Sequence, residues 1–233
     1  MRAWTCSAIS DRGMRMSVRR RQILVLKSIC WLLALTPVLV LGVQLQQGML
    51  GANPVEVLIR STGDWALRGL CVVLALTPLQ VVAGWSLLAA VRRLIGLAVF
   101  GYALLHAVLY GWLEMGWSWG ALRDDLAQRW FVLAGAAALL VLLVLALTSP
   151  HAVIRWLGGR RWKRLHQWVH AAAWLVLLHF FWMRSGKNDV LEVFWYAAIV
   201  LALQLWRVIR QVRSLGRNAP LVTAASGRQA ARR

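Results

Sequence analysis

The chain has 233 residues, 60% of them hydrophobic, and a mean hydropathy of +0.61. That is too apolar for a soluble domain and right for a helical membrane protein. The formal charge is +19, from 27 Lys+Arg against 8 Asp+Glu. The basic residues cluster between apolar runs, so they read as membrane topology and lipid contact, and nucleic-acid binding is excluded. Cys6, Cys30 and Cys71 are isolated. With no C-x-x-C pair, a zinc site or a covalently attached c-type haem is not expected.

In chain order, residues 1–22 are basic and polar, with Arg19, Arg20 and Arg21 just before the first apolar run. Met14 and Met16 are alternative starts, which makes residues 1–15 dispensable on this reading. Ile23–Val43 is the first predicted span. It is too long for a signal-peptide core and is expected to stay in the membrane. Lys27 snorkels and Pro37 permits a kink. Gln44–Asp64 reads as a loop that holds a short helix start. Asn53 is its N-cap, Pro54 its first residue and Glu56 the reciprocal cap, with Gly63 as a stop and Asp64 as the next N-cap.

Trp65–Trp85 is the second span and Leu94–Leu113, carrying His106, is the third. Glu114–Arg129 is a polar loop. Trp130–Leu147 is the fourth span, Thr148–Arg164 a basic loop and Leu165–Met183 the fifth span. After a tight turn at Arg184–Asp189, Val190–Val208 is the sixth. The tail to Arg233 is basic, polar and expected to be mobile. The fold class is therefore all-α, a bundle of six transmembrane helices. Its expected divisions are a cytoplasmic segment 1–22, a transmembrane domain 23–210 and a tail 211–233. Six spans put both termini on one side. That side holds the N-terminal arginines, Arg92, Arg93 and the Arg155–Arg164 cluster, so it is cytoplasmic.

The chain is organised around Gly159–Arg184, GRRWKRLHQWVHAAAWLVLLHFFWMR, an apolar run that contains His166, His170 and His179. Imidazoles are costly in hydrocarbon and usually functional there. At 1.5 Å per residue, His106 lies about 20 Å beyond Arg93, and His179 about 22 Å beyond Arg164. The third and fifth spans both run outward, so the two histidines sit at one depth on parallel helices. Bis-imidazole ligation of one haem iron, in the outer half of the membrane, needs that arrangement. His166 starts the fifth span on the inner side. It is a candidate ligand of a second haem, with His151, His170 or an exogenous partner, or it lines a flavin site. On a straight helix His166 and His179 stand about 140° apart, so a shared interior requires a bend. Tyr102 and Tyr110 flank His106 at i±4, and Gly96 and Gly101 leave room on the third span. Arg68, Arg129 and Arg184 near the outer face are candidates for haem propionates or a quinone headgroup. Asp124, Asp125 and Glu192 are candidates for meeting a partner protein.

The stretches GANPVEVLIRSTGDWAL, RRLIGLAVFGYALLHAVLY and LALTS…GRRWKRLHQWVH…LLH resemble the MsrQ (formerly YedZ) family, over roughly Arg20 to Arg210. These are haem-binding membrane subunits of the bacterial periplasmic methionine sulfoxide reductase system, among the ferric-reductase-like transmembrane proteins. The resemblance implies haem b held by His106, His166 and His179, an association with FMN, and residence in the inner membrane. It also implies electron transfer to a periplasmic molybdopterin subunit, MsrP, from the quinone pool or a cytosolic flavin reductase. His151 and His170 fall outside the family pattern. Where the family carries R-P-aromatic at the fourth span, this chain reads Arg129-Trp130-Phe131. A chain of this length without flavin and nucleotide domains does not take a hydride from NAD(P)H by itself. The rival reading is a cofactor-free transporter or scaffold. The chain lacks that class's signs: an inverted repeat, a pair of broken spans and an intramembrane acid.

Overall fold

The computed structural model describes residues 3–185 and 190–217, with side chains from 18 onward up to 214. The expectations for the tail beyond 217 and for Asp189 lie outside the described residues, as do those for the side chains of residues 1–15. The described residues are helical almost throughout. The helices are α1 (Ala3–Gln46), α2 (Pro54–Val82), α3 (Leu88–Leu109), α4 (Trp119–Gln128), α5 (Trp130–Leu147), α6 (His151–Leu157), α7 (Gly159–His166), α8 (Val169–Ser185) and α9 (Leu191–Arg217). A π-helical turn, Tyr110–Glu114, continues α3. Five helical segments, within α1, α2, α3 with its π turn, α5 and α9, are long and apolar enough to cross a membrane. The chain is a multi-pass integral membrane protein. The predicted fifth span corresponds to α8, which has 17 residues.

The sequence expectations hold for the apolar runs and fail at their edges. Asn53 does cap α2: its side chain accepts from the Glu56 amide, with Pro54 at the first helical position. The helix then runs on without stopping at Gly63, so the predicted loop to Asp64 is part of one 29-residue helix. Val55, Leu58 and Ile59, with the hydroxyl-bearing Thr62, fill the inward face of that extra length, and Leu58 and Thr62 are buried. The polar loop 114–129 contains α4, capped by the Ser118 hydroxyl on the Ala121 amide. The basic loop 148–164 folds as α6 and α7, separated by Gly158 at φ 75°, a conformation that glycine adopts at no steric cost. The segment 3–22 belongs to α1 itself.

Two helix pairs build the interior. Helix α2 packs closely along α3, and α5 along α8, while α9 lies against α2 and α8. Between α5 and α8 the contact is made by small residues. Ala134 and Ala138 on one helix, and Ala172 and Ala173 on the other, are all buried. Lipid offers no hydrophobic drive to helix pairing, so close approach through such residues supplies the van der Waals contact. Leu67, Leu70, Leu74, Val99, Leu142, Leu177 and Phe180 complete the core. Helix α1 stands outside, packed mainly on α3, where the Tyr102 hydroxyl donates to the Ala34 carbonyl at 2.6 Å. Tyr102 is thus occupied with α1 and does not flank His106.

The α2–α3 contact depends on Gly69, where a Cβ would come within 2.8 Å of Val99 Cγ2. Gly69→Val is expected to force these helices apart at a cost of about 1–3 kcal/mol. A fall in thermal midpoint in detergent, restored in part by Val99→Ala, checks this.

Candidate functional site

The two histidines predicted to share a depth do meet. His106 on α3 and His179 on α8 have ring centroids 6.1 Å apart, with planes at 83°. Each is anchored by its other side. His106 Nδ1 lies 2.8 Å from the Ile59 carbonyl on α2, and His179 Nδ1 lies 2.6 Å from the Phe131 carbonyl on α5. A carbonyl only accepts, so Nδ1 carries the proton in both rings, and the lone pair falls on Nε2. The Thr62 hydroxyl, itself buried, donates to the same Ile59 carbonyl. The four contributing positions lie near the ends of α3 and α8 and the beginnings of α2 and α5, so all belong to one end of the bundle.

Room for the rings comes from two glycines. A Cβ on Gly63 would stand 3.1 Å from His106 Nδ1, and one on Gly135 would stand 2.8 Å from His179 Nδ1. These are the site residues the sequence reading missed. The signal was present: glycine inside a helix costs about 1 kcal/mol relative to alanine and marks a close approach. Gly96 and Gly101, expected to give room, face open space with nothing within 4 Å.

Two facing imidazoles with free Nε2 lone pairs can bind one metal atom between them. Two metal–nitrogen bonds of about 2 Å, plus the distance from each nitrogen to its ring centre, match the observed centroid spacing. Such an N,N donor pair suits iron in a flat macrocycle that supplies the other four ligands.

The remaining histidines are dispersed. His166 ends α7; its ring stacks on Trp162 at 4.2 Å, and its Nε2 lies 3.3 Å from Thr148 Oγ1. A turn at Gln167–Trp168 separates α7 from α8, which supplies the bend that the 140° offset requires. His151 is exposed at the start of α6. His170 Nδ1 is buried without a partner among the described residues.

The polar residues at the same end of the bundle as the histidine pair bond one another. Arg184 bonds Glu192 at 2.7 Å, Arg68 bonds the Tyr196 hydroxyl at 3.1 Å, and Arg129 pairs with Asp125 at 3.0 Å. Tyr110 donates to the same Asp125 carboxylate, which ties the end of α3 to α4. Asp125 and Glu192 are therefore engaged within the chain, while Asp124 remains largely exposed beside Arg123.

Fold and site together define the class: a multi-pass membrane protein that carries a two-imidazole centre inside its helix bundle. Residues 62–178 match the family described as ferric reductase like transmembrane component, a range that holds Gly63, His106, Phe131 and Gly135 and stops one residue short of His179. Curated relatives have one name, protein-methionine-sulfoxide reductase heme-binding subunit MsrQ. The protein from Polaromonas naphthalenivorans is 50% identical over 68% of this chain and 73% of its own length. That from Azospira oryzae is 40% identical over 84% of both chains, and that from Herminiimonas arsenicoxydans is 36% identical over 86% and 92%. No solved structure matches. This chain belongs to the ferric-reductase-like transmembrane proteins and, among them, to the MsrQ family, with a role in membrane electron transfer.

Tyr110→Phe removes one of the two groups on a carboxylate that is only 13% exposed. The expected result is a looser α4, with about 1–3 kcal/mol less protection of its amides in hydrogen exchange and no change in the α2–α3 amides.

Proposed function

We propose that this chain is a b-type cytochrome that passes electrons across the bacterial inner membrane to a periplasmic methionine sulfoxide reductase subunit. The observation that carries the reading is the facing pair His106 and His179, each with Nδ1 tied to a backbone carbonyl of a neighbouring helix. These two residues would hold the haem iron, and the heme-binding name of the relatives supports that choice of group. When bound, haem supplies a one-electron carrier. The protein's own contribution is positional. The Nδ1 hydrogen bonds fix the tautomer and ring orientation, and they raise the basicity of Nε2. With His106 and His179 both holding the iron, no position would be left for oxygen, which suits electron transfer. Packing around the pair by core residues of α2, α3, α5 and α8 keeps water away.

The orientation is that of six spans, with α8 as the fifth and both termini cytoplasmic. The basic inner surface supports it. The histidine pair then lies toward the periplasm, and His166 toward the cytoplasm. His166 is the third ligand implied by the family resemblance. It serves the entry side, as the ligand of an inner haem or as a wall of an FMN site beside Trp162. Electrons enter from the quinone pool or from a cytosolic flavin reductase. They leave to the molybdopterin subunit MsrP, docked on the outer loops. Residues 23–210 form the haem-binding domain, between the segment 1–22 and the tail 211–233.

The purified protein is expected to show a reducible b-type absorption spectrum; a colourless preparation rejects the reading. His106→Ala and His179→Ala should each abolish the main signal, and full haem content in either variant would overturn the pairing. Gly135→Val is expected to displace the His179 ring and lower haem content several-fold, whereas Gly96→Ala, in open space, leaves it unchanged. Pyridine haemochrome titration against protein concentration measures both.

A further inference from the structure

At the inner end of the bundle a cavity of about 360 Å³ lies between the last turns of α2, the start of α8 and the second half of α9. Arg207 and Arg210 line it, together with Trp206, Leu203, Pro78 and His170. Leu203, Trp206 or Arg207, and Arg210 recur at the i, i+3/i+4 and i+7 spacing of one helical face. Leu203, Leu74 and Pro78 supply apolar lining and the two arginines cationic lining.

The charge here is uncompensated. Among residues with described side chains the acids are Glu56, Asp64, Glu114, Asp124, Asp125 and Glu192, all at the opposite end of the bundle. No ion pair to Arg207 or Arg210 occurs among the described residues, and Arg210 instead lies over the Trp206 ring at 5.4 Å. His170 also lines the cavity; its side chain interacts with that of Gln204, while its Nδ1 has no hydrogen-bond partner among the described residues.

We propose that this cavity is a site for the phosphate headgroup of one acidic phospholipid. An anion is required because two cations face it without an acid. An amphiphile fits because part of the lining is apolar and the cavity lies in the last turns of the α9 span, which ends at Ser214. Basic pockets between transmembrane helices on the inner face bind acidic headgroups by this chemistry. The guanidinium pair holds the phosphate oxygens, Trp206 sits at the interface, and the acyl chains run along α2 and α9.

The test uses the full-length purified protein in mixed phosphatidylcholine and phosphatidylglycerol micelles, with retained lipid counted by native mass spectrometry. Wild type is expected to keep one phosphatidylglycerol. Arg207→Gln/Arg210→Gln should weaken retention about twenty-five-fold. Arg207→Lys/Arg210→Lys should largely keep it. Arg160→Gln/Arg161→Gln, an equal charge change outside the cavity, should leave it unchanged. Equal loss in the two Gln pairs would reduce the effect to diffuse attraction and overturn the site. Loss in the Lys pair as large as in the Gln pair would overturn phosphate recognition in favour of packing. Displacement of the lipid by millimolar inorganic phosphate would reassign the cavity to a soluble anion.

Discussion

Two hydrogen bonds from imidazole to backbone organise this protein. Each joins a helix that carries a histidine to the antiparallel helix beside it: α3 to α2 through Ile59, and α8 to α5 through Phe131. An imidazole buried in an apolar bundle is unfavourable unless both nitrogens are used. The carbonyl takes one nitrogen and leaves the other free, with the two ring centroids 6.1 Å apart. Because the acceptor is backbone, it is positioned by the helix itself and not by a mobile side chain. In Phe131 the acceptor is the second residue of α5; in Ile59 it lies in the α2 length that precedes the predicted start.

Packing follows from the same requirement. The rings need space between helices that otherwise touch, and Gly63 and Gly135 give it at the two points of contact. Below them the pairs close up through Gly69 against Val99 and through the alanines of α5 and α8. The paired arginines, acids and tyrosines at the end nearer the histidine pair, Arg184–Glu192, Arg68–Tyr196 and Tyr110–Asp125–Arg129, join α8, α9, α2, α3 and α4. Charges of both signs are thereby neutralised close to the apolar interior. The other end of the bundle has the opposite character, with cations and no described acid to meet them.

Much of this was legible from residue order. The apolar runs, the capping box at Asn53, the shared depth of His106 and His179 and the need for a bend after His166 all follow from periodicity, helix rise and cap chemistry. What failed did so for identifiable reasons. Gly63 has the composition of a helix stop, but tertiary packing against His106 overrides it, since a residue without Cβ is needed there. The helix α4 is short and polar, so its single strong signal is the Ser118 cap. The partners of Arg68, Arg129 and Arg184 are set by which helices become neighbours, and sequence spacing carries no information on that. The assignment of His166 rests on resemblance, since its surroundings, Trp162 and Thr148, are not those of a paired imidazole.

The pairing of α2 with α3 and of α5 with α8 has a consequence for biogenesis. The α2–α3 hairpin, joined by a short connection, can enter the bilayer and make its carbonyl-to-ring bond before α5 and α8 have been synthesised. Neither half by itself offers more than one of the two imidazoles. The pair, and any centre built on it, therefore exists only once the later helices dock on the earlier ones. Completion of the site thus reports tertiary assembly of the chain.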